Sequence, residues 1–217
     1  MAKLEWDKVS EHIYETGVKK VALFPMESSG SYAKGVAWNG VTAITESPSG
    51  AEATDLYADD AKYLSMRSAE DLGGTIEAYT YPDEWEECNG SKSIAKGVTI
   101  GQQTRKAFGL AYTTTVGNDT DGDSHGFKLH IIYNATASPS ERAYATINDS
   151  PEAITFSWEF STIPSDFGED YKKASGITID STKCDETKLN AILDKIYGSE
   201  STEAELPDPK ALIAMFA

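Results

Sequence analysis

Basic residues are scarce in this chain. Its 217 residues hold 19 Lys and Arg against 35 Asp and Glu, a formal net charge of −16. Gripping nucleic acid by its phosphates needs a cationic surface that releases counterions, so that class of function is excluded. Long apolar runs are missing as well. No stretch approaches the roughly 18 uncharged apolar residues of a membrane span, and no basic segment followed by an apolar run opens the sequence, so neither a membrane partner nor a signal peptide is expected. Cysteine is limited to Cys88 and Cys184. Two are too few for a disulfide framework and lack metal-ligand spacing, which leaves free thiols in a reducing compartment as the expectation.

Motifs that carry chemistry are equally sparse. The three histidines, His12, His125 and His130, form neither H-x-H nor H-E-x-x-H, so no zinc site is expected. His130 shares a strand face with Lys128 and Ile132 and reads as a solvated or edge histidine. Asp119-Thr120-Asp121-Gly122-Asp123 has the oxygen richness of a calcium loop but not its spacing. Counted from Asp119, glycine falls at position 4 and His130 at position 12, where an EF-hand needs glycine at 6 and glutamate at 12. A solvated hairpin tip is the expectation there. Neither a G-x-S-x-G elbow nor a phosphate-binding G-x-x-x-x-G-K-[ST] occurs, and no pair of acids is singled out for glycoside hydrolysis. No enzyme and no cofactor is expected.

What the chain does have is the texture of a β protein. Apolar residues make up 40% and aromatics 10%, enough for a packed core. Thr, Tyr, Val and Ile recur in short runs punctuated by Gly, Asn, Asp, Ser and Pro. A first strand is expected over Val18 to Met26. Val36-Ala37-Trp38, Asn39-Gly40 and Val41 to Ile44 read as a tight hairpin on a type I′ turn. Glu46 to Ala61 is small, polar and acidic, with Leu56 and Tyr57 its only large apolar groups. A connection of that length is uncommon inside a compact domain, and it is the best candidate for an arm reaching outward. Gly74 to Tyr81 alternates as a strand, and Pro82 to Glu87 predicts a turn or two of helix. Arg105 to Val116 and Gly126 to Ala137 predict a long hairpin. Ala153 to Ser161 has the cleanest period of two, with Ile154, Phe156, Trp158 and Phe160 inward. Leu189, Ile192, Leu193 and Ile196 then stand at helical spacing, with Asp185 as N-cap, Cys184 and Leu189 as a staple and Gly198 as the stop. A short apolar segment, Ala211 to Phe216, ends the chain after an acidic, Pro-interrupted stretch.

Several of these segments, taken in order, resemble the major tail protein (tail tube protein) of long-tailed phages of Gram-positive bacteria, the phi13-type family. They are Trp6-Asp7-Lys8-Val9 with Tyr14 to Val18, Gly35 to Gly40, Glu46 to Thr54, and Leu56-Tyr57-Ala58-Asp59. Thr75 to Glu84, Gly97 to Gln103, Ala137 to Glu141 and Ile147 to Thr155 complete the set. The resemblance implies a single tail tube domain over 1–217. It implies a mainly β (α+β) fold, a β-sandwich or partial barrel with a flanking α-helix, which completes a shared β-barrel in the oligomer. Copies would form stacked hexameric rings around a lumen for genome ejection, made in the host cytoplasm and located in the virion tail. The implied partners are the protein itself, a tape measure protein, a tail terminator and distal baseplate proteins, with DNA passing through unbound.

On that resemblance the arm residues expected to grip neighbouring subunits or rings are Ser47, Pro48, Ser49, Gly50, Glu52, Thr54, Leu56 and Tyr57. The terminal segments are expected to help. Thr155, Ser157 and Glu159, on the polar face of the alternating strand, are the lumen-facing candidates. A lumen sharing the chain's negative sign would repel phosphates. Two other readings remain open: the tube subunit of a contractile or secretion apparatus, and a β-sandwich carbohydrate-binding or adhesin module using exposed Trp and Tyr such as Trp38, Trp85 and Tyr57.

Overall fold

The computed structural model describes residues 3–147, 149 and 152–216, and its architecture is mainly β with few helices. The strands are β1 (Tyr14–Pro25), β2 (Val36–Ala37), β3 (Val41–Glu46), β4 (Ser49–Gly50), β5 (Ala53–Ala58), β6 (Ala61–Arg67), β7 (Glu70–Asp71), β8 (Gly73–Ala78), β9 (Lys92–Ala95), β10 (Val98–Ile100), β11 (Phe108–Asn118), β12 (Gly122–Ala137), β13 (Phe156–Thr162) and β14 (Gly176–Asp180). The helices are α1 (Trp85–Cys88), α2 (Glu186–Tyr197) and α3 (Pro209–Ala214).

One antiparallel sheet of eight strands dominates, running β2-β1-β11-β12-β13-β8-β3 with β14 branching from β12. Its two ends, β2 and β3, are joined by Trp38, Asn39 and Gly40 alone. Three residues reach only about 3.3–3.6 Å each, so the ends lie close together and the sheet is strongly curled. The expected hairpin is therefore only half right. Gly40 does turn the chain at φ +78°, but β2 pairs with β1 and β3 pairs with β8. Trp38 decides this: its indole is buried, donates to the Thr80 carbonyl at 2.8 Å and lies against Trp85 and Trp158. Burying that ring is worth more than one local turn.

Alternation splits the apolar residues between two sides of the sheet. Leu23, Ile76, Phe108, Leu110, Ile132, Trp158 and Phe160 pack with Trp38, Trp85 and Cys88 on one side. Phe24, Ala111, Leu129, Ile131, Tyr133 and Ile179 meet Leu189, Ile192 and Ile196 of α2 on the other. The α2 caps are as expected, with Asp185 accepting from the Lys188 N–H and Gly198 ending the helix. The C-terminal apolar segment docks on its own chain, where Leu206 and Leu212 join the α2 side. The strand expected over Ala153 to Ser161 begins later, at Phe156, and Ile154 is 41% exposed rather than inward.

β12 is where the two sides exchange. Lys128 to Ile132 pairs with β14, and Ala135 to Ala137 pairs with β13 along the same edge. Between them Asn134 has φ +50°, and the register against β11 slips so that both Ile132 and Ala135 face the tryptophan side. This is a β-bulge at the branch point. Its backbone groups are all used: the Asn134 N–H donates to Tyr32 Oη at 2.9 Å and its carbonyl accepts from Ile163 N–H. The side-chain amide donates to the Ile163 carbonyl at 3.2 Å.

Asn134→Gly keeps the backbone conformation and loses one hydrogen bond, an expected cost of about 1 kcal/mol. Asn134→Val adds a disfavoured positive φ and is expected to lose about 2–3 kcal/mol in denaturant unfolding. Burial pushes the Cys88 thiol up to about 12, whereas Cys184 is half-buried. Native protein is expected to titrate one thiol per chain with a disulfide reagent at neutral pH, and denatured protein two.

Candidate assembly surfaces

The segment read as a loop is a two-stage hairpin. Ser47 bonds back to the Gly73 carbonyl at the stem, and Ser49 and Gly50 in β4 pair with Asp71 and Glu70 in β7. Gly50 has φ +82°, and a Cβ there would come within 2.5 Å of the Ala69 carbonyl oxygen, so the bend needs glycine. Beyond it β5 and β6 pair with each other alone, across a turn in which Asp59 and Asp60 both have positive φ. Positive φ at both central positions belongs to a type I′ turn, and aspartate tolerates it.

All eight expected arm residues, Ser47, Pro48, Ser49, Gly50, Glu52, Thr54, Leu56 and Tyr57, thus fall on one projection. The sequence reading missed its second strand. Leu56 lies opposite Leu64 and Thr54 opposite Met66, which gives the hairpin an apolar face, with Leu56, Leu64 and Met66 at 43%, 48% and 54% exposure. The Lys62–Asp55 ion pair, 2.7 Å, lies among these exposed strands. The alternation of Lys62, Leu64 and Met66 after Asp59-Asp60 was the available signal.

A second hairpin went unread. β9 and β10 pair only with each other around Gly97, and Ile94, Val98 and Ile100 are exposed. Residues 3–13 are also exposed, including Leu4, Trp6, Val9 and Ile13. They reach the body at the β11–β12 tip, where Asp119 accepts from the Ser10 N–H and His12 Nδ1, both at 3.2 Å. That tip is a polar hairpin end as expected, organised by Asn118 Oδ1 accepting from the Thr120 and Asp121 N–H groups.

The expected lumen residues lie at β13. Thr155 precedes the strand and is exposed; Ser157 is half-buried and Glu159 exposed, on the side opposite Trp158. Pro151, Ser150 and Asn148 of the neighbouring run lie outside the described residues. β8 pairs with β13 from Phe156 to Ser161, and β12 pairs with it on the other edge at Phe160 to Thr162. A different polar face lies on β1, β11, β12 and β14, on the tryptophan side beyond the core. There the Glu15 carboxylate accepts from Lys128 and Thr114. His130 Nε2 lies 3.0 Å from Thr114 Oγ1, and its Nδ1 lies 3.2 Å from Thr178 Oγ1. The His130 ring stacks on Tyr112 at 4.8 Å, and Tyr112 Oη donates to Glu46 at 2.6 Å. His130 is therefore a half-buried residue of an interior strand, not a solvated or edge one. Long-range pairing placed it, and no local pattern records that.

Two open strand edges flank this face. β1 pairs with β2 at Ala22 and Leu23, and the Val21 carbonyl accepts from the Trp38 N–H at 2.8 Å, so on that edge Tyr14 to Lys20 have no ladder partner among the described residues, although β3 runs close by; β14 pairs with β12 alone among the described strands. Trp38 and Trp85 are 3% and 0% exposed, so they form no glycan-binding platform. Only Tyr57 of that expected set is at the surface. Comparison with protein-family models and with curated proteins finds no match for this chain.

Hydrogen bonds from Lys128 and then Thr114 hold the Glu15 carboxyl below its ordinary value, against the opposing effect of partial burial. A carboxyl lowered on folding stabilises fully above its unfolded value, near 4.5, and that contribution fades as pH falls below it. Glu15→Gln is expected to be less stable than wild type at pH 7 in urea unfolding, with the gap shrinking at pH 3. An equal gap at both pH values contradicts the assignment.

Proposed function

We propose that the chain is a structural tube subunit, a tail tube protein of a long-tailed phage, which assembles with copies of itself into stacked hexameric rings that conduct the genome. The observation that carries this reading is the β5–β6 hairpin. It projects from the body with an apolar face bare and no third strand to support it. A two-stranded hairpin is marginal in water and is stabilised by a further strand or a packed face, which a neighbouring copy would supply.

The open edges support the same reading. Exposed edges invite pairing, and closing a sheet around an axis removes them. In the series β1-β11-β12-β14 every neighbour is antiparallel, so β14 of one copy set beside β1 of the next continues the alternation. In such a ring the shared wall is a β-barrel. Its bore is lined by the polar face of Glu15, Thr114, Lys128, His130 and Thr178, while α2 covers the outside. Ser157 and Glu159 lie on the opposite side of the sheet and face away from that bore. Six copies at −16 each carry −96 per ring. Excess negative charge disfavours adhesion of DNA phosphates and suits a conduit.

Negative-stain electron microscopy of concentrated protein is expected to show rings or tubes with a central hole. Replacing Ala53–Arg67 by a short glycine linker is expected to leave the thermal unfolding midpoint within a few degrees of wild type, since β5 and β6 pair only with each other, while abolishing tubes. Tubes of wild-type length from that variant, or a wild type that stays monomeric at every concentration and salt, contradict the reading.

A further inference from the structure

Two hairpins leave the body of the molecule, and they carry opposite charge. From Ser49 to Asp71 there are six acids (Glu52, Asp55, Asp59, Asp60, Glu70, Asp71) and two bases (Lys62, Arg67), a net −4. From Ser91 to Lys106 there are four bases (Lys92, Lys96, Arg105, Lys106) and no acid, a net +4. An acid-free stretch of this kind opposes the sign of the whole chain. Lys106 is engaged by Glu87. Lys92 and Lys96, on the hairpin itself, take part in no ion pair among the described residues.

The two hairpins share a second property. Each is a two-stranded sheet with no third strand among the described residues, and each bares apolar side chains: Leu56, Leu64 and Met66 on one, Ile94, Val98 and Ile100 on the other, the latter at 66%, 51% and 48% exposure. Those exposures show that neither hairpin covers the other within one chain. Each therefore lacks a packed face, and each has the sign of charge that the other attracts.

We propose that the β9–β10 hairpin of one copy packs against the β5–β6 hairpin of a second copy, its exposed apolar side chains against the Leu56, Leu64 and Met66 face, with Lys92 and Lys96 directed at the acidic projection. This rests on the reading of the chain as a self-assembling subunit and names the partner of its arm. The contact joins two different surfaces, so made once per pair of copies it propagates into rings or filaments, whereas a two-fold dimer would have to make it twice, reciprocally. Pairing of two β5–β6 hairpins is disfavoured, because it sets like charges against each other. The same electrostatics make the contact weaker in high salt.

The test uses full-length protein carrying Cys184→Ser to remove the accessible thiol, with circular dichroism confirming that each variant folds. Leu64→Cys and Ile94→Cys are made as separate proteins. Under mild oxidation the mixture is expected to form disulfide-linked dimers, and each protein alone little or none. A single chain carrying both changes is expected to form a ladder of higher species. Independently, Lys92→Glu with Lys96→Glu is expected to raise the protein concentration at which assembly begins by about tenfold. Adding Glu52→Lys with Glu70→Lys in the same chain is expected to restore it. Cross-linking of Leu64→Cys with itself as readily as with Ile94→Cys overturns the proposal, as does an onset of assembly indifferent to the charge reversals. If wild type assembles while the mixture fails to cross-link, the hairpin pairing alone falls. If wild type never assembles, the subunit reading falls with it.

Discussion

Asn134 sits with a positive φ inside a sixteen-residue strand, and the two halves of the molecule meet there. A strand has only two edges, and β12 gives one of them to β11 along its whole length. The other must serve two neighbours, and the bulge divides it between β14 and β13. Because the inserted residue shifts the alternation, Ile132 and Ala135 both reach the tryptophan side. The bulge thus keeps one core continuous while the sheet separates into a curled part and a polar-faced part. The hydrogen bonds of Asn134 to Tyr32 and with Ile163 hold that geometry in place.

The curled part is the stable body. Trp38, Trp85 and Trp158 lie within 5.6 Å of one another by ring centroid, in tilted and edge-to-face arrangements, and tie the two ends of the sheet together. Large buried aromatics of this kind dominate core energetics. The polar-faced part is different in character. Its outer side is sealed by α2, its other side carries the cross-linked row of Glu15, Lys128, Thr114, His130 and Thr178, and its lateral edges are open. In the proposed tube this hydrogen-bonded polar face would line the bore.

Around this body lie segments whose exposed apolar residues have no covering in a single chain. The N-terminal residues bear Leu4, Trp6 and Val9, the first hairpin Leu56, Leu64 and Met66, and the second Ile94, Val98 and Ile100. Single exposed apolar residues need no explanation, but grouping them on projecting elements does. The proposed self-assembly would supply one, and the opposite charges of the two hairpins would give it direction. A subunit of that kind would keep its own fold independent of its neighbours and reserve its marginal elements for contact with them.

Local chemistry alone sufficed for several features. The Leu189, Ile192 and Ile196 stripe with its Asp185 cap and Gly198 stop, the long hairpin with its Asn118 to Gly122 tip, and the inward Phe156, Trp158 and Phe160 all follow from period and capping, which are properties of a few adjacent residues. Glu46 to Ala61 was also recognisable as an unusual projection, because its composition cannot support a core. What tertiary structure decided is where those pieces pair. Asn39-Gly40 turns the chain as its chemistry requires, yet β2 and β3 go to opposite ends of the sheet, since burying Trp38 outweighs a two-residue turn. His130 sits on an interior strand beside Tyr112 and Glu15, residues far from it in sequence, and Leu64 and Met66 become an exposed face only once β6 folds back on β5. Register and strand order depend on contacts between distant segments, whose free energies no local pattern of residue types contains.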